Sequence, residues 1–351
     1  MRIVITGASG NVGTAVLRAL ADTDDDILAL ARRPPGTEHP PYARARWLAC
    51  DIGAPAAATE LDAAMRGADA VVHLAWAVHP HRDDPPLRRT NRTGTDQVLR
   101  AAVRTGVRQL IVASSVAAYA PAPRWDRVDE LWPRTGVAGS AYSQGKAELE
   151  AMLDTFARTH PEIGLARIRP CGIAQRAAAA EFGDWLLSPW LPRALIGRPW
   201  LPVPLWHDLR LQLVHADDVA AAIVAILTRR AVGPYDLAAE PVLTAPMLAS
   251  VFGGFRLPAS RVALTAAALA GWRAGLQPIH PGWLRLADRA SLVRADRARR
   301  ELDWRPAHSA LEVATELADG LHSGVTGDSP ALAPGRPRGG LGRPTHQSQL
   351  P

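Results

Sequence analysis

The glycine-rich segment TGASGNVG (6–13) is the feature that most constrains how this chain can fold. It follows a short β-branched run, Ile3–Ile5, and precedes a stretch in which apolar residues recur at helical spacing. Glycines at positions such as Gly7, Gly10 and Gly13 permit a tight turn, a close approach of the backbone to a pyrophosphate, and close packing of helix on strand. The segment therefore predicts a strand, loop and helix unit that binds a nucleotide.

The alternation of strand and helix patterns continues through the first half of the chain. Further strands are predicted at residues 27–30, 70–74, 108–115 and 164–170, and helices at 91–103 and 141–159. Short apolar strands separated by helices are typical of a parallel sheet that is covered on both faces. Because crossovers are right-handed, the predicted fold is α/β, a Rossmann-type doubly wound parallel sheet.

Two arginines follow the predicted second strand, where an acidic residue would bind the ribose 2′-hydroxyl of NAD. Arg32 and Arg33 stand there instead. Because guanidinium groups suit a 2′-phosphate, NADP is favoured and NAD is the alternative cofactor. A solvated turn with two surface arginines is the structural alternative. Asp51 ends the next strand, where it is either a hydrogen-bond acceptor for the adenine amine or a turn residue.

A tyrosine and a lysine stand four residues apart in the predicted helix 141–159. Tyr142 and Lys146 therefore share one face of that helix. Tyrosine ordinarily ionises near pH ~10, and a neighbouring ammonium group favours the phenolate. A tyrosine in this position exchanges a proton with a substrate hydroxyl or carbonyl at neutral pH. The spacing also arises by chance on solvated helices, so its meaning depends on the nucleotide loop that precedes it.

Seven segments occur in an order that is typical of one family. They are TGASGNVG, CDI, VVHLAW, NRTGTDQVLRAA, VASSVAAY, YSQGK and VHADDVAAAI. On these motifs, residues 1–320 resemble the extended short-chain dehydrogenases/reductases, the NAD-dependent epimerase/dehydratase family. The resemblance implies a small-molecule substrate, and it implies a homodimer built from helices 91–103 and 141–159.

The resemblance also implies roles for individual residues. Ser115 would hydrogen-bond the reacting oxygen, and Tyr142 would be the catalytic acid/base. Lys146 would hold the nicotinamide ribose and lower the tyrosine pKa, while Asn91 would support the site, often through water. Contacts with the cofactor are expected from Gly7, Ser9, Gly10, Asn11, Val12, Gly13, Arg32, Arg33, Asp51, Ile52, Leu74, Ala75, Tyr142, Lys146 and Pro170.

The chain departs from the family at positions that bear on the substrate. Pro170 stands where sugar-nucleotide enzymes have an asparagine, and Gln175–Arg176 replaces a Gly-Pro pair. Gly145 precedes the lysine where a serine is usual. The tryptophan- and proline-rich segment 181–206 falls where the family builds its substrate pocket. It predicts an apolar or aromatic ligand, or else a hydrophobic lid or core.

The composition changes after the predicted strand 164–170, which indicates a second part of the molecule. This part is predicted to be smaller, mostly helical and substrate-binding. Glycine, proline, serine and arginine dominate the last thirty residues without periodicity, which indicates a disordered tail. The predicted division is an NAD(P)-binding Rossmann domain over 1–170 with 211–238 returning to it, a substrate-binding part over 171–210 and 239–321, and a tail over 322–351.

Charge and cysteine content exclude several other classes of protein. The net charge of +6 comes from arginines scattered over the whole chain, so no nucleic-acid partner is expected. Cys50 and Cys171 lack metal-ligand spacing, which predicts buried thiols, a reducing compartment and no metal site. There is no signal-like N-terminus and no apolar stretch of about 20 residues, so a cytoplasmic protein without a membrane partner is expected.

These features together predict an NAD(P)-dependent oxidoreductase. Hydride would pass between nicotinamide and a carbonyl or alcohol of a small, fairly apolar substrate, with Ser115, Tyr142 and Lys146 handling the oxygen and its proton. The first alternative is an NAD-dependent epimerase or dehydratase of a sugar-like or nucleotide-sugar substrate. The second is a non-catalytic NADP-binding regulatory protein on the same fold.

Overall fold

The structure is a computed structural model that describes residues 1–78, 86–188 and 191–333. Its strands are β1 Arg2–Thr6, β2 Asp26–Ala31, β3 Arg46–Ala49, β4 Ala70–His73, β5 Gln109–Ala113, β6 Arg127–Val128, β7 Gly164–Pro170, β8 Gly172–Ala174, β9 Pro202–Leu205, β10 Arg210–Leu211, β11 Leu213–His215, β12 Gly233–Leu237, β13 Leu243–Thr244, β14 Phe255–Pro258 and β15 Leu292–Val293. Its α-helices are α1 Asn11–Ala19, α2 Ala57–Met65, α3 Thr95–Thr105, α4 Ala141–Thr159, α5 Ala179–Leu186, α6 Ala216–Arg229, α7 Ala245–Phe252, α8 Arg261–Arg273, α9 Pro281–Arg289, α10 Asp296–Leu302 and α11 Ala310–Ser323.

A seven-stranded sheet forms the centre of the molecule. Its strand order is β12-β7-β5-β4-β1-β2-β3, and every neighbouring pair is parallel. The chain builds outward from β1 in one direction to β3 and in the other direction from β4 to β12. In such a sheet the ligand crevice lies at the carboxyl ends of the strands, where the order reverses, which is between β1 and β4. The predicted Rossmann-type doubly wound fold is confirmed.

Helices cover the sheet on both faces, because its strands are apolar on both sides. On one face α1 packs against α6, and their side chains form one hydrophobic cluster with residues such as Ile3, Ile5 and Ile168. On the other face α2 packs against α3, and a second cluster includes Val4, Leu110 and residues of α4. These two clusters hold the carboxyl ends of the strands at one edge.

The remaining described elements form a smaller unit around a third hydrophobic cluster. Helix α11 packs against α5 and α7, and short paired strands such as β9–β14 and β10–β13 close this unit. The region from α7 to α11 contains five helices among the described residues, so the predicted helical character of this part agrees with the structure. Strand β11 pairs with β8 rather than with the central sheet, whereas β12 lies at the sheet edge.

The predicted start of the tail at residue 322 is too early. Helix α11 continues to Ser323, and the following residues turn back onto the glycine loop. There Ser329 is 1% exposed and donates a hydrogen bond to the carbonyl oxygen of Ser9 at 2.6 Å, while Leu332 is fully buried. Burial of one apolar and one hydrogen-bonded side chain holds this segment against the body. The rest of the predicted tail, 334–351, lies outside the described residues.

Three further features bear on the sequence expectations. Among the described residues, no helix is both long and apolar enough to cross a bilayer. Cys50 and Cys171 are both buried free thiols. The predicted helix 91–103 lies within a longer helical segment, in which a π-helical turn, Arg89–Gly94, leads directly into α3.

Candidate active site

All residues predicted to contact a cofactor lie at the carboxyl edge of the sheet or on α4. The glycine loop follows β1, the arginines follow β2, Asp51 and Ile52 follow β3, Leu74 and Ala75 follow β4, and Pro170 ends β7. Parallel strands bring these separate segments to one edge. The structure therefore collects the predicted residues in one region, although their roles remain predictions.

Gly7 explains why the loop after β1 needs glycine. Its φ of +71° lies in the left-handed region, and a Cβ there would lie 2.6 Å from the backbone nitrogen of Ala75. The loops after β1 and β4 thus touch through their backbones, which a side chain would prevent. At Gly13 a Cβ would collide with the carbonyl oxygen of Gly7 and with Ala8. These contacts hold the loop flat against the start of α1.

The start of α1 fits the pyrophosphate that the family implies. Gly10 is its N-cap, and no side chain caps this end of the helix. The first N–H groups of an uncapped helix are available to an anion, and the helix dipole favours one. Gln175, one of the departures from the family, donates from Nε2 to both the carbonyl and the side-chain oxygen of Asn11, each at 2.8 Å. It holds Asn11 in place beside β8.

The residues expected at the adenosine end of the cofactor follow β2 and β3. Arg32 and Arg33 are exposed immediately after β2. Asp51 forms an ion pair with Arg89 and accepts a hydrogen bond from the backbone nitrogen of Gly53 at 3.1 Å. Its carboxylate is therefore partly committed to the protein, which leaves remaining lone pairs for an adenine amine.

Helix α4 is positioned by hydroxyl groups at its first turn. Ser140 is the N-cap, and the hydroxyl of Ser143 donates to the carbonyl oxygen of Ala117 at 2.5 Å and accepts from the backbone nitrogen of Val137 at 2.6 Å. These bonds attach the start of α4 to the short turn that follows β5. Tyr142 consequently lies beside that turn, which begins after Ser115.

Lys146 is buried and directed toward two neighbours. Its Nζ donates to the carbonyl oxygen of Ala113 at 2.9 Å and lies 3.7 Å from the centre of the Trp76 ring. The side chain is 2% exposed, and burial lowers the pKa of Lys146 to about 7, with the charge of Glu150 acting in the opposite direction. The charged and neutral forms of Lys146 are thus similar in free energy near neutral pH.

Tyr142 and Ser115 share the same small region. The Ser115 hydroxyl donates to the carbonyl oxygen of Pro170 at 3.3 Å and accepts from the backbone nitrogen of Ala117 at 3.1 Å. Burial raises the pKa of Tyr142 above its ordinary value, and the hydroxyl of Ser115 lowers it by a smaller amount. Desolvation therefore outweighs the other contributions to the pKa of Tyr142, and the lowering of that pKa by Lys146 stays a prediction.

The side chain of Asn91 forms hydrogen bonds with the backbone of Ala77. Its Oδ1 accepts from the backbone nitrogen of Ala77 at 2.7 Å, and its Nδ2 donates to the carbonyl oxygen of Ala77 at 2.8 Å. The side chain therefore fixes the segment that follows β4. The contact acts directly on the loop that carries Trp76, and the expected support of the site by Asn91 stays a prediction.

A buried ionic network ties α4 to the sheet one turn beyond Lys146. Glu150 accepts two hydrogen bonds from Arg169, at 2.8 and 2.9 Å, and one from Arg167 at 3.0 Å. Burial acts to raise the pKa of Glu150, but its arginine partners prevail and lower it to about 2. Arg169 also donates to the hydroxyl of Tyr119 at 2.7 Å. The network fixes the rotation of α4, and with it the direction of Tyr142 and Lys146.

The aromatic residues at the site are not the ones that the sequence indicated. In the segment 181–206, Trp206 is buried in the third hydrophobic cluster, Trp200 is 61% exposed and Trp185 contacts Phe182. Trp190 lies outside the described residues. Among the residues that the structure describes, Trp76 and Trp283 are the tryptophans that touch Lys146 and Tyr142. The VVHLAW motif contains the first, but no local pattern marks the second.

The chain is similar in sequence to known proteins of one family. The family model described as "NAD dependent epimerase/dehydratase family" matches residues 3–238. The chain is 28% identical over 344 residues to a dTDP-glucose 4,6-dehydratase of Streptomyces griseus, with 92% of each chain covered. It is 27% identical over 318 residues to a 3-diazoavenalumate denitrifying reductase of Streptomyces, covering 88% of this chain and 97% of the relative.

Two other comparisons concern length and fold. The chain spans 24% of the length of the first three curated relatives it matches, which are uncharacterised mycobacterial proteins. Among solved structures, a UDP-glucose 4-epimerase of Thermus thermophilus in complex with NAD has a TM-score of 0.66 and 20% identity, with 93% of this chain and 100% of that chain covered. This likeness establishes the shared fold.

Proposed function

The chain belongs to the NAD-dependent epimerase/dehydratase family, and on that premise we propose that it is an NADP-dependent reductase or dehydrogenase of a small, fairly apolar carbonyl or alcohol. Family membership makes it an NAD(P)-dependent enzyme of the extended short-chain dehydrogenase type. The observation that carries the proposal is the placement of Tyr142 between Ser115 and Lys146 at the sheet edge that bears the glycine loop.

The proposed chemistry divides the work among three side chains. The nicotinamide, when bound, supplies or accepts the hydride. Tyr142 gives a proton to the substrate oxygen during reduction, and because burial raises its pKa it holds that proton at neutral pH. Ser115 donates a hydrogen bond to the same oxygen. Lys146 lies on the same helix face as Tyr142. Its ammonium group would bind ribose hydroxyls and place a positive charge near the tyrosine.

The side chains around Tyr142 and Lys146 support an apolar substrate. Tyr142 contacts the ring of Trp283, and Lys146 lies under Trp76. Pro170 provides no side-chain hydrogen bond at the position where sugar-nucleotide enzymes have asparagine. Both features favour a ligand with a flat apolar body over a diphosphate.

A second candidate is an epimerase or dehydratase of a sugar-like or nucleotide-sugar substrate. Its support is the full-length likeness to a UDP-glucose 4-epimerase fold and to a dTDP-glucose 4,6-dehydratase. In that case the same three side chains would act, and the cofactor would be restored within each turnover. The two candidates therefore differ in the fate of the cofactor.

The purified protein distinguishes these candidates in two measurements. Nucleotide released by denaturation is identified by chromatography, and NADPH oxidation is followed by its absorbance with a panel of ketones and aldehydes. The reductase proposal requires net NADPH oxidation with an exchangeable cofactor. Tightly retained NAD without net oxidation would support the epimerase. Bound NADP without any turnover would point to a non-catalytic nucleotide-binding protein.

The arginines after β2 give the first testable prediction. Replacing both residues, as in Arg32→Ala with Arg33→Ala, should raise KM for NADPH by about 10- to 100-fold, because hydrogen bonds to charged groups contribute about 1.5–3 kcal/mol. The KM for NADH should stay within about twofold, since NAD has no 2′-phosphate. Steady-state kinetics with both cofactors measures this change.

Arg46→Ala is a matched control for that double variant. Arg46 is exposed and pairs with Asp26 on the neighbouring strand at 2.8 Å, away from the carboxyl edge. Its removal should leave both KM values unchanged. If the double variant keeps the wild-type KM for NADPH, the proposed NADP preference has another origin or is wrong.

The predicted homodimer remains part of this proposal. Helices α3 and α4 contribute side chains to the same hydrophobic cluster, and Arg92, in the turn before α3, approaches Glu148 of α4 to 3.8 Å. Light scattering should give twice the chain mass of 37.5 kDa. Ala151→Glu places a charge on the exposed face of α4 and should yield the monomer, whereas a monomeric wild type would contradict the prediction.

A further inference from the structure

Two tryptophans from different parts of the chain cover the two catalytic candidates on α4. We propose that Trp76 and Trp283 form a substrate-recognition pair that selects planar, conjugated carbonyl compounds such as aryl aldehydes. The inference rests on the proposed function and deepens it, because it names the substrate class. It depends on four observations: the Trp283–Tyr142 ring contact, the seating of α9, the Trp76–Lys146 contact and a buried indole N–H.

Trp283 lies against the ring of the proposed proton donor. The two ring centroids of Trp283 and Tyr142 are 5.1 Å apart, and their planes are tilted by 33°. Both side chains are partly buried against a small cluster formed by Ala117, Val137 and Leu286. A flat indole face beside the reactive hydroxyl offers a stacking surface to a flat ligand. A puckered ring of the same size stacks less well.

Close backbone contact seats α9 so that Trp283 reaches Tyr142. His280 is the N-cap of α9, and its ring accepts from the backbone nitrogen of Gly282 at 3.1 Å. A Cβ at Gly282 would lie 2.9 Å from the carbonyl oxygen of Gly139, immediately before the N-cap of α4. The absence of a side chain therefore allows α9 to touch the start of α4. The position of Trp283 is a consequence of this joint.

Trp76 covers the neighbouring turn of α4. Its ring centre lies 3.7 Å from Nζ of Lys146, which is cation–π distance. A Cβ at Gly145 would lie 3.5 Å from the Trp76 ring, so the indole rests directly on the helix backbone there. A serine at this position would place its hydroxyl against the ring. Asn91 holds the next residue, Ala77, by two hydrogen bonds and so limits the movement of the indole.

The indole nitrogen of Trp76 adds a polar requirement. Nε1 is buried, and no acceptor lies within hydrogen-bond distance of it in the described ranges 1–78, 86–188 and 191–333. A buried donor without an acceptor is unfavourable, so a ligand oxygen that reaches it would gain a hydrogen bond. Because Tyr142 and Ser115 engage the reacting carbonyl oxygen, this donor would serve a second oxygen on the same flat ligand.

The test compares a flat aldehyde with its saturated counterpart. Benzaldehyde and cyclohexanecarbaldehyde are reduced with NADPH, and the ratio of their kcat/KM values is the selectivity. We expect the wild type to favour benzaldehyde, and Trp283→Leu and Trp76→Leu each to reduce that ratio by about 3- to 10-fold. Trp283→Phe should keep most of it. Trp200→Leu removes a tryptophan that is 61% exposed and should leave the ratio unchanged.

A binding measurement keeps the inference testable without turnover. Calorimetry with NADPH present, which forms a non-productive complex with an alcohol, compares benzyl alcohol with cyclohexylmethanol, and the same variants should lose the preference for the aromatic alcohol. A wild type that reduces both aldehydes equally well overturns the recognition pair and leaves the proposed function standing. A wild type that reduces neither aldehyde counts against the proposed function, and the calorimetric preference then decides the recognition pair. Equal binding of both alcohols overturns it.

Discussion

The Tyr142→Phe variant is expected to lose about 10²- to 10⁴-fold in kcat, because that is the usual contribution of a positioned general acid. The change removes one hydroxyl and leaves the ring that contacts Trp283. Binding of NADPH should therefore be retained, and so should the fold. Stopped-flow or steady-state oxidation of NADPH measures the first quantity, and fluorescence titration with NADPH measures the second.

Tyr235→Phe provides the matched control for the loss of a hydroxyl. Tyr235 lies on β12 at the sheet edge, its hydroxyl donates to Glu301 at 2.9 Å, and its ring belongs to the hydrophobic cluster of α1 and α6 rather than to that of α4. It should retain wild-type kcat. A Tyr142→Phe variant that turns over at the wild-type rate would show that another group moves the proton. Loss of both turnover and NADPH binding would mean that the substitution disturbs the site as a whole.

Glu150→Gln is expected to destabilise the protein by about 3–5 kcal/mol, the effect of leaving a buried ion pair without one partner. Glu150 and Arg169 are each 1% exposed, and the variant leaves the Arg169 guanidinium without its carboxylate. Arg167 keeps a second partner, Asp154, at 2.6 Å. Urea unfolding followed by circular dichroism measures the free energy of unfolding.

Glu148→Gln is the control for that measurement, two residues earlier on the same helix. Glu148 is 60% exposed and pairs with Arg92 at 3.8 Å, so its loss should change the free energy of unfolding by less than about 0.5 kcal/mol. If the Glu150→Gln variant is as stable as the control, the network contributes specificity of packing and little stability.

The contribution of Glu150 should depend on pH in a defined direction. Its pKa is lowered from an ordinary 4.5 to about 2 in the folded protein. The unfolded chain therefore binds the proton more readily, and acid favours unfolding. The stabilisation is fully present above about pH 4.5 and is lost as the pH falls toward 2. The difference between wild type and Glu150→Gln should shrink across this range.

The strands and α4 were predictable because their signals are local. The run 164–170 and the helix 141–159 match β7 and α4 residue for residue, since each is bounded by turn residues and carries its own apolar pattern. The glycine loop was predictable for the same reason. Gly13 serves a contact within the loop itself, with Gly7 and Ala8. Gly7 serves a contact with Ala75, in the loop that follows the neighbouring strand β4.

The aromatic lining was not predictable, because it depends on contacts between distant segments. Trp283 reaches Tyr142 only through the close approach of Gly282 to Gly139, and nothing in the local sequence records that approach. The tryptophan-rich segment 181–206 predicted an apolar or aromatic ligand, or else a hydrophobic lid or core. In the structure Trp206 of that segment is buried in the third hydrophobic cluster. The rise in the pKa of Tyr142 on burial was not predicted, because the Tyr142–Lys146 spacing indicates a nearby charge but not desolvation.

The contact between Ser329 and Ser9 joins segments that are 320 positions apart. The glycine loop is translated 320 residues before Ser329, which is one of its neighbours. During synthesis the loop must therefore persist for a long time in an incomplete environment. A proteolytic cut or premature stop after α11 would leave every strand and helix of the sheet intact and still alter the surroundings of the phosphate loop.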